Sequence, residues 1–259
     1  MHNALCRFTC GLLCLGLSSV AATEIGELRV LGESTPPVAD YLIDDAPFAA
    51  QAGRSADGRE LFLDNGLVRR TWRLAPNGAC VGYDNLMNAR AMLRSVRPEA
   101  RVTIDGVAYD VGGLTGQPNH AFLTDAWLDE MEADPAAFQL VGFEVGEPAE
   151  RFAWNRRRHA APDATWPPPG VYLRMDYAPP ESSELAVRVS VHYELYDGVP
   201  VMCKWITVHN EGPKPAMVDR FTGEELALVE HANLVETREG VALPRPDYLH
   251  VETDFAFGG

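Results

Sequence analysis

Four residues within one stretch of the sequence have side chains that could contact a ligand or a partner. They are His192, Glu194, Lys204 and Trp205. A lysine ammonium held in a cleft can bind a carboxylate or a sugar hydroxyl. A tryptophan on a mixed surface is readily covered by a ligand or a partner, because its ring is large and apolar. We therefore take these four residues as candidate contacts for a carbohydrate or for a neighbouring protein domain.

The sequence lacks the familiar catalytic signatures: it has no G-x-S-x-G, no H-E-x-x-H and no phosphate-binding glycine loop. Glycoside hydrolysis needs two carboxylates across one bond, whereas the adjacent Glu224 and Glu225 would point to opposite faces of a strand. His192 and Cys203 could oppose each other across a hairpin, but the sequence supplies no group to orient such a pair. We predict no catalytic residue, no metal site and no cofactor in this chain.

The stretch that carries the four candidates, VRVSVHYELYDGVPVMCKWITVHN, predicts a β-hairpin. Asp197-Gly198 fits a two-residue turn, which would place Val191 opposite Lys204. Successive side chains of a strand point to opposite faces, so one face of this hairpin is apolar except for the lysine. The predicted core face consists of Val187, Val189, Val191, Tyr193, Met202, Lys204, Ile206 and Val208.

Lys204 on this apolar face has two interpretations. Its stem could run along the core while its ammonium reaches the sheet edge, or the ammonium could lie in a cleft and bind a ligand. The opposite face of the hairpin is mixed and includes His192, Glu194 and Trp205. A two-layer sandwich would expose this mixed face, and another domain could partly cover it.

Short strands account for most of the predicted secondary structure. Turn signals at Asp64-Asn65-Gly66 and at Asp105-Gly106 separate strand pairs, and further strands follow to about residue 230. A helical pattern is confined to residues near 120–133, and Pro135 would end it. These features predict an all-β fold, a large antiparallel β-sandwich (supersandwich) with at most one short helix.

The net charge is −15 and the pI is about 4.8. Such an acidic surface repels phosphate backbones and anionic lipid, which argues against nucleic acid as a partner. Residues 1–22 carry one charge at Arg7, then an apolar run and small residues, which is typical of a secretory signal peptide and too short for a membrane span. We predict a secreted or periplasmic protein with an extended lead-in over 23–58 and a sandwich over 59–259.

Cysteine usage is consistent with export. Of the five cysteines, Cys6, Cys10 and Cys14 lie in the predicted signal peptide, which leaves Cys80 and Cys203. In an exported protein these two could form a disulfide, or they could be separate buried thiols. The sequence leaves both alternatives open.

Four segments from about residue 60 to the end carry a family resemblance: NGLVRRTWRL, PEARVTIDGVAYDVGGL, FAWNRRRHAAPDATWPPPG and VHYELYDGVPVMCKWITVHNEG. They resemble the N-terminal β-sandwich module of family 36-type α-galactosidases and related secreted glycoside hydrolase-like proteins. The resemblance implies a galactose mutarotase-like supersandwich that precedes a (β/α)₈ barrel with the catalytic aspartates. This sequence ends at Phe257-Gly258-Gly259, where the barrel has not begun, so no family catalytic residue corresponds to a position in it.

Three hypotheses about function follow. The first is a secreted, carbohydrate-associated module that is not catalytic by itself and acts beside an adjacent catalytic domain. The second is a self-contained sugar-active enzyme of the mutarotase or lyase type, which needs a histidine and a carboxylate in one sandwich cleft. The third is a protein-interaction module that docks a partner on the mixed face, including Val201 and Trp205.

Overall fold

The structure is a computed structural model that describes residues 23–33, 35–159, 161 and 164–229. The predicted signal peptide at residues 1–22 lies outside the described residues, and so does the end of the predicted sandwich, residues 230–259. Within the described part of the chain, no helix is long and apolar enough to cross a membrane.

Antiparallel strands dominate the described residues, and the predicted all-β class is confirmed. The helical pattern near 120–133 forms a single turn of helix, α1 (Asp125–Leu128). A short 3-10 turn spans Ile25–Glu27. The strands are β1 (Gln51–Arg54), β2 (Glu60–Asp64), β3 (Val68–Arg73), β4 (Ala79–Asn85), β5 (Arg90–Ala91), β6 (Leu93–Ser95), β7 (Ala100–Ile104), β8 (Val107–Val111), β9 (Gln139–Gly146), β10 (Gly170–Ala178), β11 (Val187–Tyr196), β12 (Met202–Asn210), β13 (Val218–Thr222) and β14 (Ala227–Leu228).

Within the described residues, the strands form four sheets. Five strands follow the order β1-β2-β3-β4-β5, and four follow the order β12-β11-β10-β9. Two smaller sheets have the orders β13-β7-β8 and β14-β6. The predicted lead-in contributes to this arrangement, because Gln51–Arg54 pairs with β2 and Val30 bridges to Arg54.

Alternation along the strands of the four-stranded sheet creates the main core. Along β10 every second residue is buried, from Val171 to Tyr177. On β11 the residues from Val187 to Leu195 that share one face are each at most 2% exposed. This face packs against the layer that holds Trp72, whose ring centroid lies 4.7 Å from that of Tyr193. Burying so many aliphatic and aromatic side chains is the principal stabilising contribution to the sandwich.

The hairpin β11–β12 has a different register from the predicted one. Tyr193 lies opposite Lys204, and His192 lies opposite Trp205. The predicted pairings of Val191 with Lys204 and of His192 with Cys203 were therefore wrong by two residues. Because the shift is an even number of residues, every side chain stays on its predicted face.

Contacts from outside the hairpin explain the longer turn. The side chain of Asp197 accepts a hydrogen bond from the backbone N–H of Ala50 (2.6 Å), and the N–H of Gly198 donates to the carbonyl of Phe48 (2.9 Å). The side-chain amide of Asn65 donates to the carbonyls of Tyr196 (2.9 Å) and of residue 199 (2.8 Å). The residues between β11 and β12 are thus held by two other segments, which the local turn signal could not indicate.

Candidate functional site

The structure separates the four candidate residues onto the two faces of the sheet β9–β12. Lys204 points into the core, where it joins Arg70, Glu99 and Glu224; we call these four residues the interior charge cluster. The other three candidates lie on the opposite side of the sheet. There Tyr172, His192, Glu194, Trp205 and the loop residue Arg151 form what we call the polar sheet face.

The ammonium of Lys204 binds groups of this same chain. Its Nζ donates to the backbone carbonyl of Glu99 (2.6 Å) and to Oε1 of Glu224 (2.7 Å). The lysine side chain is only 8% exposed. Arg70, from β3, donates two hydrogen bonds to the same Glu224 carboxylate, at 2.7 and 3.2 Å. Lys204 therefore holds a carboxylate in the interior, but that carboxylate comes from the segment between β13 and β14.

Glu99 is the second carboxylate of the interior charge cluster and is 1% exposed. It accepts hydrogen bonds from the backbone N–H of Cys80 (2.6 Å), from the indole of Trp72 (3.2 Å) and from the hydroxyl of Tyr193. One of its oxygens also lies 3.9 Å from the Arg70 guanidinium and 3.8 Å from the Lys204 ammonium. A buried ion is tolerated only when it is paired and hydrogen-bonded, and these contacts satisfy both conditions.

The pKa shifts of Glu224 and of the neighbouring Tyr193 and Cys80 oppose proton transfer by these groups at neutral pH. Burial alone would raise the pKa of Glu224, but Arg70 and Lys204 outweigh it and lower that pKa. Burial raises the pKa of the Tyr193 hydroxyl well above its usual value, and it raises the pKa of the Cys80 thiol to about 11. The carboxylate is therefore ionised near neutral pH while the phenol and the thiol keep their protons.

Aromatic rings also enclose the Arg70 guanidinium. Its carbon lies 4.8 Å from the ring centroid of Tyr193 and 5.4 Å from that of Tyr83. Among the described residues, its buried Nε has no hydrogen-bond partner. The rings supply electrostatic attraction where no acceptor is present. The cluster as a whole connects β3, the residue before β7, β12 and the segment between β13 and β14.

The polar sheet face is built from three neighbouring strands. The rings of His192 and Trp205 are nearly parallel, with an angle of 3° and centroids 4.9 Å apart. The ring of Tyr172 lies 5.9 Å from that of His192 and 6.1 Å from that of Trp205. Because β10, β11 and β12 are adjacent in the sheet, one side chain from each strand is enough to form this array.

His192 is a neutral, fully hydrogen-bonded member of this array. Its Nδ1 lies 2.7 Å from the hydroxyl of Tyr172, and its Nε2 lies 2.8 Å from Oγ1 of Thr207. Burial, together with the positive charge of Arg174, lowers the pKa of His192 to about 4. The imidazole is uncharged at neutral pH, so it can donate one hydrogen bond and accept another.

Arg151 completes the polar sheet face from the loop 147–169. Its guanidinium carbon lies 4.1 Å from the ring centroid of Trp205, and its Nη2 donates to Oε2 of Glu194 (3.0 Å). The hydroxyl of Tyr196 donates to the same carboxylate oxygen (2.7 Å). The sequence patterns did not indicate Arg151, although it stands five residues before Arg156–Arg158, a run of three arginines in an acidic chain.

More polar groups extend this face along the sheet. Arg174 lies 2.9 Å from a carboxylate oxygen of Glu144 and 3.1 Å from one of Asp176. The hydroxyl of Ser190 donates to Asp176 (2.6 Å). A recess of about 420 Å³ opens at the base of the loop, lined by residues that include Glu147, Thr165 and Asp197. The face therefore presents a row of hydrogen-bonding groups beside an aromatic array.

Cys80 and Cys203 are both free thiols, and they lie on different sides of the sheet β9–β12. Cys80 is buried beside Arg70, whereas Cys203 lies 3.8 Å from Arg151 on the polar sheet face. Of the two alternatives that the sequence left open, the structure has the separate thiols.

The described residues contain no group of three or more histidine, cysteine, aspartate or glutamate side chains that could hold a metal ion. Comparison of the chain with protein-family models, with curated proteins and with solved structures found no match. The structural support for a functional proposal therefore comes from the geometry of the two clusters.

Proposed function

We propose that this chain is a carbohydrate-binding β-sandwich module, secreted and not hydrolytic by itself, that binds sugar on the polar sheet face. One observation carries the proposal: Trp205, His192 and Tyr172 form an aromatic array whose borders are the charged groups of Arg151 and Glu194. The resemblance to glycoside hydrolase-associated sandwiches supports the same proposal.

The chemistry of the face suits a sugar. A pyranose ring has a patch of C–H groups that packs on aromatic surface and a rim of hydroxyls that donate and accept hydrogen bonds. Trp205 and Tyr172 retain partial exposure and offer the aromatic surface. The side chains of Arg151, Arg174 and Asp176 are partly exposed and offer hydrogen-bond partners for the rim.

The state of the carboxylates supports a binding role over a hydrolytic one. Hydrolysis of a glycosidic bond needs one carboxyl as acid and a second as base or nucleophile, with the bond between them. Glu194 is 1% exposed and is already held by Arg151 and Tyr196. Glu99 and Glu224 are held by the cations of the interior charge cluster. Each of these acids would have to leave its partners before it could act.

Calorimetric titration with a panel of oligosaccharides tests the binding proposal. Trp205→Ala should weaken the binding of an active oligosaccharide at least about tenfold, because it removes the largest ring of the array. Trp127→Ala is the matched control, since Trp127 lies on α1 and packs on Phe122. Equal weakening by both substitutions, or no binding to any oligosaccharide, would contradict the proposal.

Chromogenic glycosides test the non-hydrolytic part. The purified chain should not release the chromophore from aryl α-galactosides. Turnover that disappears when an acidic residue such as Glu194 is replaced by glutamine would favour the self-contained enzyme instead.

Docking of an adjacent domain is the second candidate function, and the exposed apolar residues of the β13 edge favour it. Met217 is 64% exposed, Val218 40% and Phe221 65%. An edge strand with large apolar side chains is a ready docking site. Analytical ultracentrifugation should then show concentration-dependent association that Phe221→Ser removes, and a monomer at all concentrations would argue against this candidate.

A further inference from the structure

The loop 147–169 contains a strongly basic segment in an acidic chain. Residues 151–159, RFAWNRRRH, contain four arginines and no carboxylate, whereas the whole chain has a net charge of −15. All nine residues of this basic segment are exposed. Adjacent guanidinium groups repel one another, and an anionic partner would relieve that repulsion. The basic segment therefore favours the binding of an anion.

Specific contacts attach the basic segment to the polar sheet face. Its first residue, Arg151, is held by Glu194 and stacks on Trp205. Its second residue, Phe152, packs on Trp166 with ring centroids 4.6 Å apart, and the Trp166 indole donates to the Phe152 carbonyl (3.0 Å). Since seven residues span at most about 25 Å, the guanidinium of Arg158 stays within reach of a sugar chain on that face.

The carboxylates of the polar sheet face have partners without Arg157 and Arg158. Arg151 already pairs with Glu194, and Arg174 pairs with both Glu144 and Asp176. Arg157 and Arg158 therefore add positive charge beside a face on which each of these carboxylates already has a guanidinium partner. A neutral glycan would gain nothing from that charge, whereas an anionic glycan would.

We propose that the glycan is a polyanion, a polysaccharide whose sugar units carry carboxylate or sulfate groups. In this proposal the polar sheet face binds the sugar ring, and Arg157 and Arg158 bind the anionic groups of neighbouring units. Guanidinium groups bind both carboxylate and sulfate oxygens in a planar, two-point fashion, so either anion fits. The inference rests on the proposed function and names the class of glycan for that same face.

A set of neutral and anionic polysaccharides tests the inference. The full chain is titrated with dextran, with dextran sulfate and with polygalacturonate, at low and at moderate salt. We expect dextran sulfate or polygalacturonate to bind at least about tenfold more tightly than dextran, and to lose affinity as salt rises because counterions are released. Because dextran and dextran sulfate share one backbone, the difference between their affinities isolates the contribution of the sulfate groups.

A pair of variants assigns the effect to the basic segment. Arg157→Gln with Arg158→Gln should reduce affinity for the polyanion about tenfold and lower the salt dependence, while affinity for dextran stays constant. Arg90→Gln with Arg101→Gln makes the same change in net charge on β5 and β7 and should leave both affinities unchanged. Equal losses in the two double variants would overturn the inference.

The outcomes also separate this inference from the proposed function. If dextran binds as tightly as the polyanions and salt has no effect, the inference fails while the binding module remains. If the polyanion binds and Trp205→Ala leaves its affinity unchanged, binding by the polar sheet face is overturned. If no polymer and no oligosaccharide binds, the proposed function itself fails.

Discussion

The two faces of the sheet β9–β12 accommodate charge in different ways. On the core face, Lys204 and Arg70 meet Glu99 and Glu224 in an interior where each ion has an opposite partner. On the outer face, Glu194 is also nearly inaccessible, but its partner Arg151 comes from a loop and is partly exposed. The interior pairs therefore stabilise the packed sandwich, whereas the outer pair leaves its guanidinium, Arg151, accessible from solvent.

The origin of the residues explains this difference. The interior charge cluster draws on β3, on the residue before β7, on β12 and on the segment between β13 and β14. It connects parts of the chain that no single sheet contains. The polar sheet face draws on three adjacent strands and one loop. Substitutions in the interior charge cluster should destabilise the whole domain, whereas substitutions in the polar sheet face should alter binding with little loss of stability.

Glu99→Gln should give the largest effect. The substitution leaves Arg70 and Lys204 with one carboxylate between them and weakens the hydrogen bonds from Trp72 and Tyr193. Removing one partner of a buried ion pair costs about 3–5 kcal/mol, and we expect a loss of that size in the free energy of unfolding by urea. Asp110→Asn, which removes the exposed pair with Arg101, is the control and should cost about 0–1 kcal/mol. Equal losses in the two variants would contradict the contrast between interior and surface.

Lys204→Met should give the next largest effect, about 2–3 kcal/mol of unfolding free energy, because Glu224 keeps Arg70 as a partner. Glu224→Gln alone should cost a similar amount. If the two residues act as a pair, the double variant should cost less than the sum of the single variants. Strict additivity in this double-mutant cycle would show that the lysine and the glutamate are not coupled.

Acidification should act on the polar sheet face through His192. Its pKa is about 4 in the folded chain against 6.5 for an ordinary histidine, because burial and Arg174 disfavour the imidazolium. The unfolded chain therefore binds the proton first, and the folded state loses stability as pH falls from about 6.5 to about 4. Solvent screening reduces the size of the effect, and we expect about 1 kcal/mol.

Unfolding midpoints measured across that pH range, for the parent chain and for His192→Gln, provide the test. The parent chain should lose stability more steeply than the variant between pH 6.5 and 4, and the two slopes should agree above pH 7. Parallel curves throughout the range would show that His192 does not titrate in this way.

The two thiols should have the smallest effect on the stability of the fold, but they should differ clearly in their reactivity toward a maleimide. Cys80 is buried and its pKa is raised to about 11, so a maleimide should label it very slowly at neutral pH in the folded chain. Cys203 is partly exposed and should be labelled first. A reducing agent should leave the unfolding midpoint unchanged, because the two cysteines are not joined. Peptide mass spectrometry identifies which cysteine carries the label. Labelling of Cys80 before Cys203 would contradict this assignment.

Strand alternation made the face assignments predictable even though the register was not. Moving the partner of His192 from Cys203 to Trp205 is a shift of two residues, and a period of two leaves each side chain on its predicted face. The register itself depends on contacts of Asp197 with Ala50 and of Asn65 with the turn. Those contacts join residues more than a hundred positions apart, and no local pattern encodes them.

The partners of the candidate residues were beyond prediction for the same reason. The hairpin pattern indicated that Lys204 lies on the core face, but it could not indicate that Glu99 and Glu224 meet its ammonium there. The arginine run was visible in the sequence, but the stacking of Arg151 on Trp205 was not. An isolated acid or arginine in a loop carries no local signal of its partner.

The sequence by itself determined the all-β class, the short helix and the side of the sheet on which His192, Glu194, Lys204 and Trp205 lie, because each depends on periods and turn residues that are local. Only the tertiary structure decided which charges meet. Ion pairing requires a few ångströms of separation between residues distant along the chain, and the packing of the layers alone sets that separation. Packing thus gave Lys204 partners within the core and placed Arg151 over Trp205 on the outer face.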